Sequence, residues 1–465
     1  MNDLANTTSW HLPGAPYAVQ LRAIDLGWRH KGYGYWLEQG LGKSAVLFED
    51  YLLNLDAGRV WGLVVICPSY LTSVWVEQHA TWQMKQPLTK WPRVVQVEQE
   101  PFIFIINSEA IIHRGGGYLE GMLRRAKVML AFDESSHIKN HKAMITRQCL
   151  NLVKDALLSR TLSGTPQTQN VMDLWSQLRF MKQLSGTNPY AFRNRYAKMG
   201  GYMGKQVVGA VNEDELHGIL SECSFRALKT DWTDLPEKVY VKREFQMIAA
   251  QTQAYRTMLT ELCVELSETK EVTAQQAIHA MMKLQQISRG FIIDNDGQPQ
   301  ELVPVDRNPA IDLCRQIVAD TWGKTIIFAY YRHSVTLLHR MLGGTILRGG
   351  MSEEDIAGAK RMFNDDSETR TIVVQTSVGS EGHTLLGQEG VNRCSTTIFY
   401  ENTYSLSQRK QAEDRNHRFG QDRAVVYVDL IGSSQDTKVI SALQKKQSLV
   451  TAIVDTIRSL PDAAS

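Results

Sequence analysis

Short, unbroken apolar runs alternate along this chain with segments whose apolar residues recur at helical spacing. In the first half the runs are Leu63 to Cys67, Phe102 to Ile106, Val128 to Phe132 and Thr161 to Ser163. In the second they are Thr325 to Phe328, Thr345 to Leu347, Thr371 to Gln375, Thr397 to Tyr400 and Val425 to Ile431. Continuous rather than alternating apolar runs predict strands buried on both faces, as in parallel sheets covered by helices. The pattern therefore predicts an α/β fold in two halves. Residues 173–231 read as helical and aromatic, and residues 244–290 as helical, with Tyr255, Met258, Leu259, Leu262 and Leu266, then Ala277, Met281, Leu284 and Ile287, at helical spacing. This Met-containing stripe reads as helix packing. The polar, Pro-containing segment Thr233 to Lys238 marks the joint. The expected domains are residues 1–232, with a helical insertion over 173–230, and residues 233–465, opening on the helical segment 244–290.

In parallel sheets ligands gather at the carboxyl ends of the strands. Pro68-Ser69 follows the first run, Asn107-Ser108-Glu109 the second, Asp133-Glu134 the third and Gly164-Thr165-Pro166 the fourth. Upstream, Gln39-Gly40-Leu41-Gly42-Lys43-Ser44 runs into apolar Ala45 to Phe48, the layout of a phosphate loop opening a helix. Glycine frees backbone N–H groups to surround a β-phosphate, the Lys43 ammonium reaches the β- and γ-oxygens, and the Ser44 hydroxyl ligates Mg²⁺. Leu37 stands where the generic pattern has its first Gly. Two carboxylates at a buried strand end are costly unless a cation or a proton-transfer role compensates. With the phosphate loop upstream, Asp133 is assigned to Mg²⁺ through water and Glu134 to orienting and deprotonating the attacking water. Gln20, at the start of a helix near the loop, is placed to read an adenine edge; a solvated helix-start Gln fits the same position. In the second half, Arg415 and Arg418 lie three apart beside Gln411 and are expected on one helical face, within reach of a γ-phosphate. An arginine pair on a helix also reads as solvated surface.

At 465 residues, with 43% apolar and 22% charged, the chain is a globular protein of two or three domains. No run of eighteen apolar residues occurs, and the start MNDLANTTSWHLPG lacks a signal-peptide layout, so no membrane span and a cytoplasmic location are expected. The 51 basic and 49 acidic residues nearly cancel, so any polyanion site is a local patch. Six scattered cysteines without a CxxC pair read as reduced, buried thiols rather than a zinc site.

Taken in order, these stretches resemble the Swi/Snf-related ATPases of helicase superfamily two. The resemblance is collinear from Pro16 to Gly432 and rests on EQGLGKS, VVICPSYLTSVW, IINSEA, DESSHIKN, LSGTPQTQN with DLWSQLRF, CSFRALKTDWTDLPEK, IIFAYYRHS, QTSVGSEGHTL and QAEDRNHRFGQ. It implies two RecA-like lobes with helical insertions, using ATP and Mg²⁺. Gln20, Gly40, Gly42, Lys43, Ser44, Asp133, Glu134 and Gly382 would bind or act on nucleotide, with Gln411, Arg415 and Arg418. Ser163 and Thr165 would couple the sites, and Pro68, Ser69, Ser108 and Thr376 would contact DNA backbone. It further implies a monomeric motor on double-stranded or branched DNA, in a bacterial or phage-infected cytoplasm. A strand-separating DNA or RNA helicase is the second enzyme reading, and a scaffold with a decayed ATPase the reading of another class. Ser136 and Ser377 depart from the family pattern, at its usual box His and its usual Arg.

Overall fold

The computed structural model describes residues 10–95, 97, 100–164, 171–184, 186–200, 206–232, 235–268, 274–294, 296–379, 384–388, 390–403, 405–418, 420–434 and 436–437. The chain divides into two compact units, Met1–Asp234 and Leu235–Ser465.

The strands of the first unit are β1 (Gly32–Leu37), β2 (Gly62–Cys67), β3 (Leu88–Lys90), β4 (Phe102–Asn107), β5 (Val128–Asp133), β6 (Leu158–Leu162), β7 (Ala197–Gly200), β8 (Gln206–Ala210) and β9 (Ser224–Ala227). Its helices are α1 (Ala18–Gly27), α2 (Lys43–Asp56), α3 (Thr72–Thr81), α4 (Ser108–Ile111), α5 (Arg114–Arg125), α6 (Met144–Asp155), α7 (Asp173–Phe180), α8 (Pro189–Tyr196), α9 (Glu213–Cys223) and α10 (Lys229–Trp232). Seven strands form one parallel sheet in the order β3-β4-β2-β5-β6-β1-β9. The central strands β2, β4 and β5 are buried almost throughout, as continuous apolar runs require.

Two departures from the sequence reading are instructive. The strand Gly32–Leu37 (GYGYWL) carries no aliphatic run, yet β1 lies inside the sheet between β6 and β9. Its glycines are spacers: a Cβ on Gly32 would lie 1.8 Å from the Met181 carbonyl oxygen. The stretch 173–230 is also not wholly helical. It contains the antiparallel hairpin β7–β8, and β9 returns to the sheet edge beside β1.

The second unit contains β10 (Lys238–Glu244), α11 (Ala249–Glu268), α12 (Ala274–Ser288), β11 (Phe291–Ile293), β12 (Pro299–Glu301), α13 (Pro309–Asp320), β13 (Lys324–Ala329), α14 (Arg332–Leu342) and β14 (Thr345–Leu347). It continues with α15 (Glu353–Asp365), β15 (Thr371–Gln375), α16 (Thr376–Gly379), β16 (Cys394–Phe399), α17 (Leu406–Glu413) and β17 (Val425–Ile431). Six parallel strands run in the order β10-β17-β16-β13-β15-β14. Alternate residues feed two separate cores: Ile327, Val373, Ile398 and Leu430 on one face, Ile326, Ile372, Phe399 and Tyr427 on the other. Tyr255, Met281, Leu284 and Ile287 pack together between α11 and α12. Cys67, Cys149, Cys223, Cys314 and Cys394 are buried free thiols. No helix among the described residues is long and apolar enough to cross a membrane.

One buried ion pair ties the first unit together. Arg160 on β6 donates through Nε to Asp50 Oδ2 on α2 at 2.5 Å, and Tyr35 on β1 donates its hydroxyl to the same oxygen at 2.8 Å. Neither Arg160 nor Asp50 is exposed. Removing one partner of such a pair strands a charge in low dielectric, so Asp50→Asn should cost about 3–5 kcal/mol. Nine of the ten tryptophans precede residue 235. The denaturant midpoint followed by tryptophan fluorescence should therefore fall in this variant, and an unchanged midpoint would deny the pair its structural role.

Candidate active site

The loop between β1 and α2 is shaped by two left-handed glycines, Gly40 (φ 89°) and Gly42 (φ 82°). This conformation is open to glycine at no steric cost. The expected first glycine is not needed at Leu37, because Leu37 still belongs to β1 and its carbonyl accepts a 3.1 Å hydrogen bond from Lys43 Nζ. Lys43 and Ser44 open α2, whose free N–H groups and positive dipole end face the loop. Ser44 Oγ donates to Gln78 Oε1 at 2.7 Å.

Gln20 is 2% exposed, so the solvated reading is set aside. Its Oε1 accepts the Tyr17 N–H at 2.9 Å, and a Cβ on Gly42 would fall 2.1 Å from its Nε2. The Gln20 amide thus packs directly on the phosphate loop.

Asp133 ends β5, two strands from β1 in the sheet, and Glu134 follows in a left-handed conformation (φ 52°, ψ 55°). A non-glycine residue held there costs on the order of 1–3 kcal/mol, so the surroundings must impose it. Asp133 Oδ2 accepts from Trp75 Nε1 and Oδ1 from the Glu134 N–H, both at 2.9 Å. Burial, then the Glu134 charge, push the Asp133 carboxyl up to about 6, while Lys43, Trp75 and the Glu134 N–H pull it down. The loop cation and the carboxylate pair therefore share one electrostatic environment. Behind the pair, Ser135 Oγ donates to Gln177 Oε1 on α7 at 2.7 Å.

Trp75 and Gln78, both on α3, were not singled out as site residues from the sequence. Their signal lay in VVICPSYLTSVW and the three residues after it, VEQ: a helix beginning just past the β2 end, with its Trp and Gln three apart and so on one face.

The expected DNA contacts divide. Ser69 is exposed after β2, whereas Ser108, which opens α4 after β4, is only 7% exposed. Pro68 is buried, with its carbonyl bound to the Leu71 N–H, and Thr376 is fully buried, its hydroxyl donated to the Ala329 carbonyl. Neither side chain is presented to a phosphate. The sheet order puts Ser108 and Ser69 just past the ends of neighbouring strands β4 and β2, followed by Asp133 at the end of β5 and the loop after β1. Ser163 is buried at the end of β6, while Thr165 and Gly382 lie outside the described residues.

In the second unit, α17 ends at Glu413, so Arg415 and Arg418 lie in the turns beyond it and not on its face. Arg409 fixes α17 to the sheet, pairing with Asp429 at 2.5 Å and Glu413 at 2.9 Å. Arg415 is 2% exposed and its Nε donates to the Gln411 carbonyl at 2.7 Å, which makes it a brace of the turn. Arg418 is half-buried and donates to Thr384 Oγ1 at 2.6 Å. Burial lowers its guanidinium from the ordinary value, with Asp414 acting against that.

Gly42 meets two constraints at once, so Gly42→Ala should strain the loop and displace Gln20. The expected outcome is a loss of nucleotide affinity of about tenfold or more, on the scale of a 1–3 kcal/mol strain. Calorimetric titration with a non-hydrolysable nucleotide checks it, with retained circular dichroism showing that the fold survives.

The chain is similar to known proteins over most of its length. The SNF2-related domain model matches residues 37–290, and the Helicase conserved C-terminal domain model matches residues 309–420. The chain is 26% identical over 448 residues to the SWI/SNF-related matrix-associated actin-dependent regulator of chromatin subfamily A-like protein 1 homolog of Caenorhabditis elegans, covering 91% of this chain and 60% of the relative. It is 23% identical to the human DNA annealing helicase and endonuclease ZRANB3, covering 88% and 37%. To the putative ATP-dependent helicase/translocase YwqA of Bacillus subtilis it is 22% identical, covering 92% and 47%. This chain thus spans only part of each relative's length. Among solved structures, the Sulfolobus solfataricus SWI2/SNF2 ATPase core in complex with dsDNA aligns over 97% of this chain and 95% of that one, at 19% identity and a TM-score of 0.45. The family model covers more than half of the chain, including the phosphate loop and the Asp133–Glu134 pair, and this protein belongs to the SNF2-related family.

Proposed function

We propose that this protein is an ATP-hydrolysing motor that moves along double-stranded DNA, with forked or branched duplexes as its working substrate. The observation that carries the reading is the gathering of Gln20, the Gly42 loop, Lys43 and the Asp133–Glu134 pair at one end of the first sheet. Family membership and the helicase and translocase descriptions of the relatives support it.

The residues fit Mg²⁺. The Ser44 proton is committed to Gln78, which leaves its oxygen lone pairs for a cation. Asp133 is raised by burial and by the neighbouring Glu134 charge, a cost that a cation relieves. A hard ion completed by water and phosphate oxygens needs few protein ligands, so Ser44 and Asp133 suffice. When bound, Mg²⁺ supplies neutralisation of phosphate charge.

In this reading the loop N–H groups and Lys43 hold the β- and γ-phosphates, and Gln20 reads the adenine edge. Glu134 takes a proton from the attacking water, its carboxylate aimed by the left-handed backbone. Arg418 is the second unit's candidate for stabilising charge that develops on the γ-phosphoryl group during turnover. Ser69 touches phosphate and so carries no sequence information. Each hydrolysis then drives a small step along one strand.

Lys43→Ala and Glu134→Gln should fail differently. The first should weaken nucleotide binding; the second should keep ATP bound and lose roughly two decades or more of turnover, the scale of a catalytic base. Near-parental hydrolysis by Glu134→Gln would remove the base assignment. For Arg418→Ala, turnover should fall while ATP affinity holds, and equal loss of both would indicate a ground-state contact.

The reading as a whole is tested by ATPase assays with duplex DNA, single-stranded DNA and RNA. Duplex should stimulate most, with affinity that falls steeply as salt rises. Stimulation by RNA alone would contradict it.

A further inference from the structure

We propose that Gln177 is a positioning residue for Glu134, acting through Ser135. The proposal deepens the ATPase reading and rests on it.

Glu134 is one strained residue between two anchored neighbours. On its N-terminal side Asp133 is fixed by Trp75 Nε1. On its C-terminal side Ser135 begins a 3₁₀ turn, Ser135–Ile138, and donates its hydroxyl to Gln177 Oε1 at 2.7 Å. The Gln177 amide is itself oriented, because its Nε2 donates to the Asp173 carbonyl at 2.9 Å, leaving the oxygen for Ser135. The preceding residue of α7, Ser176, donates its hydroxyl to the Ile138 carbonyl. Two consecutive residues of one helix thus grip both ends of the turn.

Ser135, Ser176 and Gln177 are all fully buried, so bulk water has no access to replace a lost bond. The bonds made by Glu134 itself are local: its N–H to Asp133 and its carbonyl to the His137 N–H. Neither ties the left-handed backbone to the rest of the unit. On the C-terminal side of Glu134 the adjoining tie comes through Ser135 and Gln177, across 42 residues of sequence, with Ser176 holding the far end of the turn at Ile138. Once it is released, the backbone at Glu134 is free to relax towards ordinary dihedrals, which swings the carboxylate off the attacking water. Lys43, Gly42 and Gln20 belong to other elements and keep their places, so substrate binding is spared.

The test uses the full chain with saturating duplex DNA. Ser135→Ala and Gln177→Leu should each lower kcat roughly 10- to 100-fold, as a small misplacement of a reacting group does, with KM for ATP unchanged. The double variant should be no worse than the singles, since both break one link. In the Glu134→Gln background the same changes should move residual turnover by no more than about twofold, because the group they aim is gone. Tryptophan fluorescence checks folding, and Ser135→Ala, which removes one hydroxyl, carries the test if Gln177→Leu does not fold. A raised KM at parental kcat, singles that multiply in the double variant, or parental kcat in folded variants would overturn the inference alone. A parent chain without nucleic-acid-stimulated ATPase would overturn the reading beneath it as well.

Discussion

The site in the first unit depends on how helix α2 is held, because Lys43 and Ser44 are its first two residues and the phosphate loop is its N-terminal extension. Asp50, two turns further on, is the fixed point. It is fully buried and accepts from Arg160 on β6 and Tyr35 on β1, while the Asn54 amide donates to its Oδ1 at 2.7 Å. The Arg160 guanidinium, in turn, reaches the Trp28 carbonyl just past α1, the helix that carries Gln20. One neutral cluster therefore sets the relation of α1, α2, β1 and β6. Burying two charges is expensive and adds little net stability over an apolar pair. What the cluster provides is geometry, since a charge pair in low dielectric tolerates little displacement.

The second constraint is local and opposite in character. Asp133 and Glu134 crowd two carboxylates at a buried strand end, and Glu134 adds left-handed strain. Both costs fall at the place where the chemistry needs them: a cation relieves the first, and the second aims a base. Apolar packing elsewhere, with the inner strands of both sheets buried almost throughout, supplies the stability against which such costs are set.

Much of this was legible in the sequence where the signal is local. Runs such as LVVIC and VMLAF identify strands because a strand covered on both faces has no polar side to show, and Asp133-Glu134 stands out because carboxylates end such a run. The strand β1 was hidden because its glycines answer to Met181, about 150 residues away, rather than to strand propensity. Trp75, Gln78 and Gln177 escaped for the same reason: each acts on a partner 34 to 58 residues distant. The QAEDRNHRF stretch reads as helix by spacing, yet α17 stops at Glu413. There the Tyr427 hydroxyl donates to the Glu413 carbonyl, which the His417 N–H reaches only at 3.3 Å, and the His417 ring binds the Pro236 carbonyl, so tertiary bonds compete with the next helical turn. Arg415 and Arg418 consequently point to different tasks despite their spacing.

The central claim is movement along an intact duplex driven by ATP. It is tested most directly by giving the protein a duplex that carries a short third strand, with ATP, and following release of that strand and the state of the duplex beneath it. The account predicts that the third strand is displaced in an ATP-dependent manner while the duplex stays paired, and that Glu134→Gln abolishes the release. Separation of the duplex strands with the triplex left intact would contradict it.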